Sequence, residues 1–377
     1  MKFSNFFGNN EWSELKKFQN LDEDKKNITF YAENKASINH FRELITELTE
    51  TRDISICYVT SVKDDPLLNT NNDNIKSFYI GDGTARTQFF LTLSTKILLL
   101  DMPDLENFHI KRSKKYPVHY IYIFHSMFSV HSYLRKGAID NFDTIFCVGP
   151  HHISEIRETE KIYNLKPKQL VEYGFGRLDT LLKNKLPTEN SELVLIAPSY
   201  GEKNLLEICG IELIELLIKS NYKVLLRPHF EILKKSKKLI KSILEKFQDN
   251  PNFYFETGII SDKQFHDSLC MISDWSGISF EYVLALKRPV IFIDAPKKIL
   301  NPSFNDISTD PIELEFRKKI GDVVSPEEIQ KIPSIINERK NVDLQQKIEL
   351  ISSELVFNIG DSAKIGADYI QNFLKKI

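Results

Sequence analysis

The chain has 377 residues, 42% hydrophobic and 27% charged, the balance of a globular protein but too long for one ordinary core, so two domains are expected. A formal net charge of −2 gives no reason to expect nucleic-acid binding, which requires a concentrated basic surface. No run reaches the roughly 20 apolar residues of a membrane span, and Met1 to Asn5 has no apolar signal core, so a cytoplasmic location is expected.

Short runs rich in Val, Ile, Phe and Tyr alternate with amphipathic stretches, the rhythm of βα units on parallel sheets. In the first half strands are expected over Ile28–Ala32, Ile54–Thr60, Ser77–Ile80, Ile97–Met102, His119–Phe124, Thr144–Val148 and Leu170–Tyr173. Helices such as Ser37–Glu50 and Thr84–Leu93 fall between them. A polar, turn-prone stretch over 183–190 marks a domain joint. Strands resume at Leu193–Ala197, Lys223–Leu226, Phe253–Glu256, Met271–Ser273 and Val290–Ile293, linked by helices over Glu202–Ile218, Lys235–Phe247, Asp262–Leu269 and Ile278–Leu286. Periodicity lapses over 296–310, a second joint, and from Pro326 the chain reads as mostly helical, ending with Ser362–Lys376. The expected architecture is α/β: two doubly wound, Rossmann-like domains facing each other across a cleft, over residues 1–186 and 187–350. A C-terminal helix within 351–377 packs back on the first domain.

Cys57, Cys147, Cys209 and Cys270 lie singly in apolar runs and read as reduced, buried thiols with no metal-type spacing. Two basic patches, 111–115 and 234–241, are solvated faces or contacts for an anionic lipid or polymer.

The chemistry gathers where predicted strands end. After the third strand, Gly81-Asp82-Gly83-Thr84 forms a close turn into a helix; Gly81 and Gly83 offer an anion site or simple punctuation. His125 ends a strongly apolar run, placed for acid–base work because imidazole titrates near neutrality. His131 follows on the next helix as a supporting or acceptor-side residue, and His151-His152 read as the first turn of a helix. In the second half Ser199 follows the first strand, and Arg227-Pro228-His229 closes the second with a permanent cation and an imidazole. Ser273-Asp274-Trp275-Ser276-Gly277 then opens a helix, supplying hydroxyls, a carboxylate and free N–H groups suited to phosphate. Glu281, further along that helix, faces a ribose, and Trp275 either packs or stacks on a base. At equivalent strand ends these loops describe an enzyme that grips a diphosphate and moves what is attached to it.

Phe124-His125-Ser126, Gly174-Phe175-Gly176-Arg177-Leu178-Asp179, Arg227-Pro228-His229 and Ser273-Asp274-Trp275-Ser276 stand in the order of W-H-G, G-x-P-R-x-D, R-P-H-P and S-D-Y-S-S. This resembles the CDP-glycerol glycerophosphotransferase family, the teichoic-acid polymerases and primases, over roughly 75–295. Four positions depart from it: Ser126 for a glycine, Gly176 and Phe230 for prolines, and Gly277 for the second serine. Met127-Phe128-Ser129-Val130 also stands where Thr-Pro-Leu-Lys is usual. The resemblance implies a GT-B fold with the donor held by the second domain. It implies attack of an acceptor hydroxyl on the β-phosphorus of a CDP-linked polyol donor, with release of CMP. His125 would be the base, Arg227 and His229 would neutralise the diphosphate, and Ser199, Ser273, Asp274, Ser276, Gly277 and Glu281 would surround the donor. Arg177 and Asp179 would line the cleft. No obligatory metal or cofactor is expected. The acceptor would be a saccharide, polymer or lipid-linked chain, with peripheral contact at the inner membrane face. A glycosyltransferase of this fold using a CMP-, UDP- or GDP-sugar, a sugar-nucleotide isomerase and a non-catalytic binding protein are the alternatives.

Overall fold

A computed structural model of the chain describes residues 8–184, 192–201, 203–257 and 262–377. Two sheets, parallel throughout, carry the described strands. The first has β1 (Ile28–Ala32), β2 (Ile56–Thr60), β3 (Ile75–Tyr79), β4 (Ile97–Leu100), β5 (His119–Ile123), β6 (Thr144–Cys147) and β7 (Gln169–Glu172), in the order β3-β2-β1-β4-β5-β6-β7. The second has β8 (Leu193–Ile196), β9 (Lys223–Leu226), β10 (Phe253–Phe255), β11 (Ser268–Ser273), β12 (Val290–Ile293) and β13 (Asp322–Val324), in the order β10-β9-β8-β11-β12-β13. Each sheet reverses its winding beside its first strand, where neighbouring loops part and leave a crevice at the carboxyl ends. The expected two-domain, doubly wound architecture is therefore present.

Central strands such as β1, β2, β4 and β6 are buried along their whole length, because helices cover both faces of a parallel sheet. One face of the first sheet carries Phe30, Tyr58, Ile121 and Phe146, covered by Phe41 and Leu44 of the helix Ser37–Thr46 and by Ala367 and Ile370 of the C-terminal helix Ser362–Leu374. Gly366 lets that helix approach, since a Cβ there would stand 2.7 Å from the Tyr173 ring. The opposite face belongs to a cluster that continues without a break into the second sheet, through Phe128 and Phe280, whose rings meet edge to face at 5.0 Å. The four cysteines are free and buried, as expected.

Some boundaries differ for local reasons. β2 starts at Ile56 because Glu47–Thr51 winds into a π-turn and Asp53 takes a left-handed conformation (φ 54°). The helix expected over Lys235–Phe247 is two, Phe230–Lys235 and Lys237–Phe247, broken at Ser236 (φ −109°, ψ 42°). β13 spans three residues, too few to show a period. The joint expected over 183–190 lies, from residue 185 onward, outside the described residues. Among the described residues no helix is long and apolar enough to cross a membrane.

Candidate active site

His125 stands two residues past the end of β5. Its Nδ1 lies 3.1 Å from the Asp101 carbonyl oxygen, which can only accept, so Nδ1 carries the proton. Nε2 is then the bare nitrogen, and it accepts from the Tyr133 hydroxyl at 3.1 Å. Burial lowers the imidazole's pKa and favours this neutral form. The result is a neutral imidazole with its lone pair aimed at a hydroxyl, the arrangement a general base needs.

In the second sheet, Arg227 and His229 follow β9 in a rigid turn. The His229 Nδ1 accepts from the Glu231 N–H at 3.2 Å, capping the short helix after it and leaving the proton on Nε2. Burial first, and then the Lys298 and Arg227 charges, push its pKa down to about 4. Arg227 is brought down to about 10 by burial, opposed by Glu281 and Glu256. The turn after β11 is held from behind. Asp274, fully buried, accepts from the backbone N–H groups of Ser199 (2.7 Å), Leu205 (2.9 Å) and Trp275 (2.7 Å). Ser273 donates to the Ala197 carbonyl at 2.7 Å. These two residues fix the shape of the loops after β8 and β11, and Ser276 and Gly277 stand half-buried at the mouth. Trp275 packs: its Nε1 donates to the Ala295 carbonyl at 2.8 Å, and the Arg317 guanidinium covers its ring at 3.7 Å.

The two sheets meet at these loops. An ideal Cβ on Gly277 would stand 3.0 Å from Ser126 Oγ, so the residue after His125 touches the Ser-Asp-Trp-Ser-Gly turn. Two departures from the family pattern thus face each other. Arg177 of the helix Gly176–Lys183 places its Nε 3.8 Å from Glu281 of the helix Ile278–Leu286, and Arg227 feels both charges. Tyr200, whose hydroxyl adjoins that of Tyr133, packs on His229 with ring centres 4.4 Å apart. His125, Arg177, Arg227, His229, Ser199, Ser276, Gly277 and Glu281 are brought together.

Other expected residues are not. Gly81 and Gly83 follow β3 at the edge of the sheet, four strands from β5, a separation of about 19 Å at ordinary strand spacing. Gly81 (φ 61°) sits where a Cβ would strike the Glu11 carboxylate. His131 is buried, bonded to Glu155 at 2.8 Å and stacked on Phe304. Asp179 accepts from the Gly360 (2.7 Å) and Ser362 (3.0 Å) N–H groups, tying down the C-terminal helix. His151 and His152 hold the Met127 and Phe128 carbonyls, both at 2.9 Å, and so shape the loop after His125.

Sequence reasoning missed His40, Tyr133 and Lys298. The His40 ring lies 6.2 Å from that of His125 and is held at a pKa of about 3, by burial first and then by His125 and Arg177. It sits inside a helix, where no strand-end logic reaches it. Lys298 follows β12 by five residues, at the same carboxyl edge as the other loops, but in the stretch that reads as a linker. A cavity of about 210 Å³ opens there, lined in part by Ser199, Tyr200, Asp274 and Lys298. Among the described residues no group of three or more His, Cys, Asp or Glu is placed to hold a metal ion.

The sequence profile of CDP-glycerol:poly(glycerophosphate) glycerophosphotransferase matches residues 14–298, three-quarters of the chain. The chain belongs to this family. It is accordingly a transferase, as the motif order led one to expect. No curated protein sequence matches it. Among solved structures, the wall teichoic acid polymerase TagF soaked with CDPG is similar at a TM-score of 0.61 and 14% identity, covering 97% of this chain and 94% of TagF. MnaA from S. aureus, in a structure with UDP, is similar at 0.62 and 11%, covering 93% and 98%. The UDP-GlcNAc 2-epimerase of Methanocaldococcus jannaschii, with UDP-GlcNAc and UDP, follows at 0.58 and 13%, covering 93% and 99%. Transferase and epimerases share this fold at such identities, so the likeness speaks to the fold, and the family match carries the chemistry.

Proposed function

We propose that this glycerophosphotransferase moves a polyol phosphate, glycerol phosphate in the first instance, from a CDP-activated donor to an acceptor hydroxyl and releases CMP, in assembly of a cell-surface polymer. The abutment of Ser126 on Gly277 carries the reading, because it sets the His125 base against the expected donor-phosphate turn. The acceptor hydroxyl takes the place of the Tyr133 hydroxyl at His125 Nε2, gives up its proton there, and attacks the β-phosphorus. Charge grows on the departing CMP phosphate, where Arg227, the Nε2–H of His229 and the N–H groups at the start of the helix Ile278–Leu286 can meet it. Ser276 adds a hydroxyl. Positioning and electrostatics supply most of the rate, since phosphoryl transfer asks little covalent chemistry of the protein. Glu281 holds Arg177 and Arg227 in register and lies near the donor's ribose. Nothing in this scheme calls for a metal, so EDTA should leave turnover within twofold.

The test is release of CMP from CDP-glycerol with a glycerol phosphate oligomer as acceptor, with 31P spectra of the product. A new phosphodiester supports the reading. A glycosidic product from a CMP-, UDP- or GDP-sugar, or epimerisation without an acceptor, refutes it. For peripheral attachment to the inner leaflet the exposed Lys114 and Lys115 are the candidate contacts; their neighbour Arg112 is engaged by Asp143 at 3.0 Å and covers the Tyr120 ring. Flotation with anionic vesicles checks this; a Lys114→Glu/Lys115→Glu variant that still floats refutes it.

A further inference from the structure

His125 Nε2, the nitrogen that the transfer scheme needs bare, is covered. Tyr133 donates its hydroxyl to it at 3.1 Å, and burial holds that phenol well above its ordinary range, so the hydroxyl keeps its proton. Tyr200, from the loop after β8, bonds the Tyr133 hydroxyl in turn and packs on His229 with ring centres 4.4 Å apart. The Lys298 ammonium lies 3.6 Å from the centre of the Tyr200 ring and 5.8 Å from that of Tyr133, within reach of both aromatic faces.

The backbone behind Tyr133 is held from several sides. Val130–Tyr133 is a helix of four residues, too short to persist on its own hydrogen bonds. At its start Glu155 accepts from the Val130 (2.6 Å) and His131 (3.2 Å) N–H groups. Glu313 accepts from the Ser129 N–H at 3.1 Å and the Ser132 hydroxyl at 2.6 Å. At its end the Leu300 N–H meets the Ser132 carbonyl and the Asn301 side-chain amide meets the His131 carbonyl, both at 2.9 Å. Leu300, Asn301 and Glu313 all follow β12, so the connections of the second sheet set where Tyr133 stands.

Such an arrangement discriminates between attacking hydroxyls. A water that took the place of Tyr133 would gain one hydrogen bond at Nε2, while the tyrosine gave up that bond and the one to Tyr200. Water therefore gains nothing by entering. An acceptor chain brings contacts along its length, and that remote binding energy offsets the displacement. Keeping water off the reacting groups is what separates transfer from hydrolysis of the donor.

We propose that Tyr133 is a guard on His125, held shut by Tyr200 and by the residues after β12, which keeps water from attacking the donor and yields only to the acceptor. The inference rests on the transfer reading above and adds to it the residue that sets transfer against hydrolysis.

CMP release from CDP-glycerol without any acceptor tests it. In that side reaction the oxygen of water bonds the β-phosphorus, its proton passes to His125 Nε2, and the bond to CMP breaks, leaving glycerol phosphate and CMP. Tyr133→Phe keeps the ring but vacates the space of one hydroxyl, much the size of a water, beside Nε2. Acceptor-free release should rise about tenfold, the worth of one hydrogen bond to the base. Adding His125→Ala to the same chain should erase that gain. An unchanged rate in Tyr133→Phe overturns the guard, as does a gain that survives His125→Ala, which would come from loosened packing. Should Tyr133→Phe not fold, Tyr200→Phe leaves the guard and removes its hold; acceptor-free release should then rise about threefold, and no rise overturns the proposal. A crystal structure of Tyr133→Phe without nucleotide gives a check that needs no turnover. A water within hydrogen-bond distance of His125 Nε2 supports the guard, and a Phe ring closed on that nitrogen overturns it. If the wild-type chain neither binds CDP-glycerol nor turns it over with acceptor present, the transfer reading falls, and that water still decides whether Tyr133 covers the imidazole.

Discussion

Gly277→Ser is the sharpest perturbation of the contact between the loop after β5 and the loop after β11. Gly277 has φ −58° and ψ −25°, which any residue adopts, so the cost lies entirely in what a side chain meets. An added Cβ stands 3.0 Å from Ser126 Oγ and 4.0 Å from Phe128 Cδ1. Ser126 can give way only by rotating its hydroxyl, which accepts from the Phe128 N–H at 3.3 Å; losing that bond costs about 1 kcal/mol. Crowding adds a similar amount, so the domains close about 1–2 kcal/mol less favourably. At about 1.4 kcal/mol per factor of ten, kcat/KM for CDP-glycerol should fall roughly 5- to 30-fold in a CMP-release assay. Ser126→Gly in the same chain removes the obstacle and rebuilds the glycine-then-serine pair of the family pattern. The double variant should recover to within about threefold of wild type. Losses that simply multiply would show that the two positions do not touch in the working enzyme, and the argument would fail.

His125→Ala should lower kcat by about 10²- to 10⁴-fold with little change in donor KM, and a loss of only a few-fold would remove its role as base. Because burial lowers the His125 pKa, the acid limb of kcat/KM should begin below pH 6.5; a limb centred above that value contradicts the buried, neutral imidazole. Arg227→Ala should raise the donor KM at least tenfold, measured against a CMP inhibition constant that rises in parallel. Asp101, buried at the end of β4, has its pKa pushed up to about 7 by burial, so the folded state binds its proton where the unfolded state does not. Stability from this group is present at pH 4 and is lost as pH rises through 7. Asp101→Asn should therefore melt higher than wild type at pH 8 but not at pH 4, read by calorimetry. Asp179→Ala strips the anchor from Gly360 and Ser362, and hydrogen exchange over 362–374 should accelerate at least tenfold while exchange in β8 to β12 stays unchanged.

The strands and the loops at their carboxyl ends were legible because each depends on a local pattern: an apolar run of strand length, then His, Arg-Pro-His or Ser-Asp before a helix. Ile28–Ala32, Lys223–Leu226 and Val290–Ile293 appear with the expected boundaries for that reason. Facts about pairing were not legible. Nothing in the spelling of Asp274 or Asp179 says whether a carboxylate will meet a ligand or a backbone N–H, since capping and catalysis use the same residue types. Gly81 misled in the same way, its glycine serving the Glu11 carboxylate at the far edge of the sheet. Lys298 and His40 acquire meaning only from Tyr200, Tyr133 and His125, which lie far from them along the chain.

The apolar cluster that runs from the first sheet through Phe128 and Phe280 into the second has a further consequence. A hinge between two self-sufficient lobes can swing freely, because neither lobe surrenders core when they part. Here the lobes hold part of their interior in common, so wide opening would wet aromatic surface that neither can cover alone. Substrate entry then favours small sliding displacements over a clamshell motion, and the two halves should melt as one cooperative unit, not in sequence. The same shared interior argues against grafting the donor half onto a foreign acceptor half, even though each carries a complete doubly wound sheet.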